Sequence, residues 1–200
     1  MSRHLVIGAS GQVGHYLLRE GARQGLPMSG TYHSHEFPGL IPLDIREEQA
    51  VRRVLFELRP AVVYLPAAYV NVDVCESRQE ETFATNVRGV LHVVRAANAV
   101  GARLVFFSSD YVFDGQSGPY REDDLPRPIS EYGRQKLIAE HTIALQSHAY
   151  LIVRTTVVYS WEPQEKNFIV RLLRTLTKGE SINVSTDQKG TAPYSPTLAE

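Results

Sequence analysis

The feature that most narrows what this chain can fold into is its first glycine loop. A short apolar run, Leu5-Val6-Ile7, leads directly into Gly8-Ala9-Ser10-Gly11-Gln12-Val13-Gly14. Residues 13–23 then read as a helix. A G-x-x-G-x-x-G spacing between strand and helix meets three demands together. The chain turns sharply, its backbone stays open to a close-lying group, and helix packs tightly on strand. The N–H groups at the helix start face an anion, and a pyrophosphate fits there. The loop predicts the opening βαβ unit of a dinucleotide-binding sheet.

The pattern downstream agrees. Residues 26–32 are the next strand, weakened by Pro27 and Gly30. Residues 46–59 read as a helix with Val51, Val54, Leu55 and Leu58 on one face. Strands follow at 61–65, 103–107 and 150–153, and helices at 80–100 and 130–145. Buried runs separated by amphipathic helices imply right-handed crossovers, hence an α/β doubly wound, mostly parallel, Rossmann-like sheet. Residues 110–128 are rich in Gly, Pro and charge and long for a connection, so they read as a functional loop. After Ser160 the rhythm changes to a helix at 167–178 and a short strand at 182–184. The expected division is a dinucleotide-binding domain over 1–160 and a small lobe over 161–200.

Composition excludes several classes. Lys and Arg total 21 against 22 Asp and Glu, a formal charge of −1. That balance gives no broad attraction to nucleic acid or an anionic membrane, so neither is an expected partner. Cys75 is the only cysteine, which excludes an internal disulfide and a Cys-rich zinc site and fits a reducing cytoplasm. The N-terminal apolar run is too short for a secretion signal, and no transmembrane helix is expected. The histidines form no metal-like cluster, so no metal is expected.

A second set of residues carries chemistry. Ser108-Ser109-Asp110-Tyr111 falls just past the 103–107 strand, at the strand end where open parallel sheets bind ligands. Tyr132 and Lys136 are four apart at the start of a helix and share a face. Chance supplies about 0.2 such pairs in this composition, so the pair is weak alone and strong beside a glycine loop and a strand-end serine. Hydride transfer to a ketone builds charge on its oxygen, where a proton must arrive. A phenol with a pKa near about 10 needs help to supply it, and an adjacent ammonium lowers that value. The same ammonium is placed to grip a nicotinamide ribose, while a serine hydroxyl polarises the carbonyl.

The cofactor's other end is read from two stretches. Asp44 and Ile45 follow Leu43 and have two open roles: contact with adenine, or an Asp44–Glu47 capping box for the next helix. About 20 residues past the glycines, where an acid for the ribose is expected, the chain has Thr31-Tyr32-His33-Ser34-His35 instead. A 2′-phosphate is not repelled there, and His33, Ser34 or His35 is placed to hydrogen-bond it. NADP(H) is therefore preferred, with NAD(H) as the alternative.

Taken together, these residues resemble an extended short-chain dehydrogenase/reductase. More narrowly, they resemble the dTDP-4-dehydrorhamnose reductase family and its sugar-nucleotide-binding relatives. The likeness rests on GASGQVG, Asp44-Ile45, Pro66-Ala67-Ala68-Tyr69, Asn86 in ATNVRGV, SSDYVFDG, YGRQK, Val153-Arg154-Thr155 and Asp187-Gln188-Lys189-Gly190-Thr191. The resemblance implies that Gly11, Gln12 and Val13 contact the pyrophosphate between Gly8 and Gly14. It implies that Asp44 and Ile45 meet adenine, that Ala67, Ala68 and Tyr69 line the cofactor, and that Asn86 holds the framework of the cofactor site. Ser109, Tyr132 and Lys136 match the catalytic triad, and Asp110 and Tyr111 would lie near the sugar. The chain departs from the family at Val157, where the R-T-x-W-V-Y pattern carries a sugar-facing Trp. It also ends at Glu200, where family members continue, so the substrate lobe is expected to be incomplete. The implied activity is NADPH-dependent reduction of a 4-keto group on a nucleotide-activated deoxysugar, with a homodimer as a family-level expectation. Two alternatives share the scaffold: a regulatory subunit like the β subunit of methionine adenosyltransferase, and a sugar-nucleotide epimerase or dehydratase that recycles NAD.

Overall fold

A computed structural model describes residues 3–161, 167–184, 186 and 190–200. Six parallel strands form one sheet: β1 (His4–Ile7), β2 (Met28–Tyr32), β3 (Ile41–Pro42), β4 (Val62–Leu65), β5 (Arg103–Ser109) and β6 (Tyr150–Thr155), in the order β3-β2-β1-β4-β5-β6. The order runs outward from β1 to β3 on one side, then crosses back and runs outward from β4 to β6 on the other side of β1, the doubly wound arrangement that the alternating pattern predicts.

Strand side chains alternate between faces, so each strand feeds two cores. Leu5 and Ile7 of β1, with Val63, Leu65, Leu104 and Phe106, pack under α2 (Glu48–Leu58), α5 (Val90–Val100) and α6 (Glu131–Gln146). Val6 points the other way and joins Ala9, Phe107 and Leu17 of α1 (Gln12–Arg23). Leu198 and Ala199 of α8 (Ser195–Ala199) close over that second face. The last residues of the 161–200 segment thus return to the first helix.

Several boundaries differ from the sequence reading, each for a tertiary reason. β5 runs two residues past 107, because β6 also lengthens and pairs Ser108 with Arg154 and Ser109 with Thr155. Ser108 and Ser109 therefore end the strand rather than follow it. The expected 80–100 helix is three pieces: α4 (Gln79–Phe83), a π-helical turn over Ala84–Gly89, and α5. A Cβ on Gly89 would sit 2.7 Å from Ile45 Cγ1, so glycine is what lets the turn pass the β3 end. A short helix, α3 (Val72–Ser77), is capped by Asn71, whose side chain accepts the Val74 N–H. No polar periodicity announced it. The strand expected at 182–184 is absent; those residues are irregular, beyond α7 (Phe168–Thr177). Among the described residues no helix is long and apolar enough to cross a membrane, and no cluster of potential metal ligands occurs.

Candidate active site

The carboxyl ends of all six strands open onto one cavity of about 870 Å³. Its floor is the glycine loop. Gly8 has φ +95°, and a Cβ there would lie 2.9 Å from Ala67 Cα. A Cβ on Gly14 would meet the Gly8 carbonyl oxygen at 2.3 Å. The loop is thus a cradle that side chains would fill. Gly11 caps α1 with no side chain of its own, and the first turn carries no acidic residue, so the positive helix end is unopposed. Loop, helix end and cavity size all fit a dinucleotide pyrophosphate. Val13 and Gln12 border the cavity. The Gln12 side-chain amide donates to Ser160 Oγ (2.8 Å) and Ser195 Oγ (3.0 Å).

At one end, Asp44 and Ile45 line the wall with His33. The Asp44 carboxylate accepts the Arg46 N–H at 2.9 Å and its Nη2 at 2.6 Å, and lies 3.3 Å from His33 Nε2. The Arg46 guanidinium holds the Asp44 carboxyl below the ordinary range. The capping box does not form: Glu47 is the N-cap of α2 and makes no side-chain cap bond. Arg46, two residues away and bidentate, takes the carboxylate that the box would have used. Arg46 escaped the sequence reading because its partner is fixed by the turn rather than by a helical spacing.

Past β4, Ala67, Ala68 and Tyr69 line the cavity. Asn86 lies behind this wall, not on it. Its Oδ1 accepts the Tyr69 N–H (2.8 Å), while its amide donates to the Tyr69 carbonyl (3.1 Å) and to Gln135 Oε1 (2.9 Å). Gln135 in turn donates to Thr82 Oγ1 (3.0 Å). Asn86 thus clamps the Tyr69 backbone from inside the protein. A direct contact between its side chain and a cofactor is not what this geometry provides.

The opposite wall brings Ser109, Tyr132 and Lys136 together, with Asp110 and Tyr111 beside them. Ser109 Oγ donates to Asp110 Oδ1 (3.1 Å) and accepts the Tyr111 N–H (3.2 Å), which fixes the 3-10 turn Asp110–Val112. Tyr132 is 8% exposed and meets Tyr111 edge-on, ring centroids 5.7 Å apart. Lys136 is 3% exposed; its Nζ donates to the Phe107 carbonyl (2.8 Å) and lies 5.8 Å from the Tyr132 ring centroid. Burial pushes the Tyr132 phenol above its ordinary value, with the Ser109 hydroxyl pulling weakly the other way. Burial likewise lowers Lys136 to about 8. The expected lowering of the phenol by the ammonium is not what the chain's own groups produce: burial dominates, and the ammonium is turned to a carbonyl. Burial also raises Asp110. Val157 reaches the cavity mouth and is 61% exposed.

The profile of the family described as RmlD substrate binding domain matches residues 2–200. The chain belongs to this family. Its RmlD-family relatives include the dTDP-4-dehydrorhamnose reductase of Salmonella typhimurium, 34% identical over 197 residues, covering 98% of this chain and 64% of that protein. Methionine adenosyltransferase 2 subunit beta of Xenopus laevis is 34% identical over 157 residues, covering 78% of this chain and 47% of the relative. Among solved structures, the dTDP-4-dehydrorhamnose reductase of Bacillus anthracis in complex with NADP superposes with a TM-score of 0.89 at 32% identity, covering 99% of this chain and 68% of that one. These matches bear out the resemblance carried by GASGQVG and DYVFDG. This chain spans roughly half to two thirds of the length of such relatives. The Asp187-Gln188-Lys189 part of the last motif lies outside the described residues.

Proposed function

We propose that this RmlD-family chain carries the dinucleotide site and catalytic triad of an NADPH-dependent reductase acting on a 4-keto group of a nucleotide-activated deoxysugar. The observation that carries the reading is the convergence of Ser109, Tyr132 and Lys136 on one wall of the cavity floored by the glycine loop. The relatives named as reductases, and the one solved with NADP, support the same reading.

In it, Gly8, Gly11, Gln12, Val13 and Gly14 hold the pyrophosphate through backbone N–H groups. Asp44 and Ile45 flank adenine, His33 meets the ribose phosphate, and Ala67, Ala68 and Tyr69 border the nicotinamide half. Bound there, NADPH supplies the hydride to the ketone carbon. Ser109 donates a hydrogen bond to the ketone oxygen and orients it. Tyr132 holds the proton that this oxygen receives, and its raised pKa keeps it protonated near neutrality. Lys136, as an ammonium, offsets the phenolate left behind. Asp110, Tyr111 and Val157 face the sugar. Residues 1–160 form the dinucleotide-binding domain of this scheme and 161–200 part of the substrate lobe.

Mixing the chain with NADPH or NADH and then a dTDP-4-keto-6-deoxy sugar tests it through the near-ultraviolet band of the reduced nicotinamide. We expect binding of NADPH in preference to NADH and decay of the band. Tyr132→Phe is expected to cut turnover at least a hundredfold with NADPH affinity within about threefold of the parent. Full activity in that variant removes Tyr132 from the role. The similarity to a methionine adenosyltransferase β subunit favours one other reading, a cofactor-binding regulator. NADPH binding without decay across a panel of keto-sugars, with co-purification of a catalytic partner, would select it.

A further inference from the structure

One buried charge on the active-site helix has no part in the scheme above. Glu140 sits one turn beyond Lys136 on α6 and is 4% exposed. Its position is fixed from two strands. Ser108 of β5 donates its hydroxyl to Glu140 Oε1. Arg154 of β6 donates Nη2 to Oε2 at 2.7 Å and Nε to Oε1 at 3.1 Å. Ser108 and Arg154 are themselves cross-strand partners, so the carboxylate closes a gap between neighbouring strand ends. Lys136 grips the next carbonyl up the same strand, that of Phe107. Successive turns of α6 thus clasp successive residues of β5. On its outer side Arg154 donates to the Glu122 carbonyl (3.3 Å) and lies 5.2 Å from the Phe113 ring centroid, which ties in the long 110–128 loop.

We propose that Glu140 is a positioning residue: its buried carboxylate, locked by Arg154 and Ser108, keeps Lys136 cationic and aimed at the catalytic wall. The inference rests on the role given to Lys136 above. The Phe107 carbonyl and the Phe106 ring, 4.7 Å from Nζ, also favour the ammonium, but neither carries a full negative charge. The groups facing it are Tyr132 from its own helix and Cys75 from α3, while Asp110 and Tyr111 face Tyr132 from the 3-10 turn. Burial favours the neutral amine, and Glu140 is the largest opposing influence. A carboxylate that only braced the sheet would leave the Lys136 titration in place when replaced; one that holds the charge would not.

The test reads Lys136 directly and needs neither ligand nor turnover. The chain has four lysines, so a ¹³C-lysine-labelled sample gives few side-chain signals, and Lys136→Arg identifies the one sought. Its titration midpoint is followed by NMR in the parent, Glu140→Gln and Glu140→Asp. We expect the midpoint to fall by about 1 pH unit or more in Glu140→Gln and to return most of the way in Glu140→Asp. A midpoint unchanged in a folded Glu140→Gln protein overturns the proposal, whatever happens to its stability. If the unpaired Arg154 prevents that variant from folding, the double variant Glu140→Gln/Arg154→Gln is compared with Arg154→Gln alone, so that the difference isolates the carboxylate, and a fall in the midpoint is expected between the two. Equal midpoints in those two proteins overturn it equally. A parent chain that fails to oxidise NADPH would count against the reductase reading alone, since the midpoint is still read.

Discussion

At the scale of single residues, Lys136 shows what burying an amine costs a fold. Burial holds the amine down to about 8 in the fold, against about 10.4 in an unfolded chain. Below pH 8 both states carry the proton and the cost of burying it is full. Between pH 8 and 10.4 the folded chain releases the proton while the unfolded chain keeps it. The unfolded state then binds more protons, so stability rises with pH. The rise is on the order of 3 kcal/mol. We expect thermal melts across pH 8–10.4 to show this gain in the parent and not in Lys136→Met. An equal slope in both would place the titration elsewhere. Tyr132 and Lys136 were legible in the sequence because helical geometry fixes an i, i+4 pair without knowledge of the fold. Glu140 shares that spacing from Lys136, and the same rule reaches it. Gln135 and Asn86's hidden position were not legible, because their partners come from other elements and only the folded chain brings them together; Arg46 was not, because a turn rather than a helical spacing sets its pairing with Asp44.

At the scale of elements, the decisive contact is the start of α6 against the 3-10 turn. A Cβ on Gly133 would lie 2.1 Å from the Tyr111 carbonyl oxygen, a backbone atom that cannot swing aside. Gly133→Ala must therefore move the helix or the turn, and Tyr132 and Ser109 sit on opposite sides of that contact. We expect kcat/KM to drop at least a hundredfold, since a displacement near 1 Å costs that much in a positioned site. NADPH affinity should change far less, because the glycine loop is remote from the contact. Parallel loss of affinity and turnover would argue for general unfolding instead. The six strands and their crossover helices were legible as alternating apolar runs, and the glycine loop fixed where the first crossover starts. The π-helical turn was not, since its residues suit an ordinary helix, and the extension of β5 depends on pairing with β6. α3 and α8, each too short for a periodic pattern, likewise gave no signal.

At the scale of the whole molecule, the two ends of the chain meet at the glycine loop. Gln12 reaches Ser160 and Ser195, Ser195 N–H donates to the Tyr159 carbonyl at 3.0 Å, and α8 lies on α1. Gln12→Ala removes both side-chain bonds, worth about 1 kcal/mol net. We expect amide hydrogen exchange in α8 to quicken about fivefold while β1 and β4 stay protected. Uniformly faster exchange would mean that the loss is global. The π-helical turn joins distant parts in another way. An α-helix advances about 100° per residue, and a π turn carries one residue more than its α counterpart. Thr82 and Asn86 face the Gln135 network, while Val93 and Val94 face the sheet. The turn sets the phase between these two halves. Removing a single residue from it would leave an ordinary α turn with both halves still in phase; removing one from the α-helical segment on either side would dial that half about 100° around the axis, and the chain would have to choose between its core and its active-site wall.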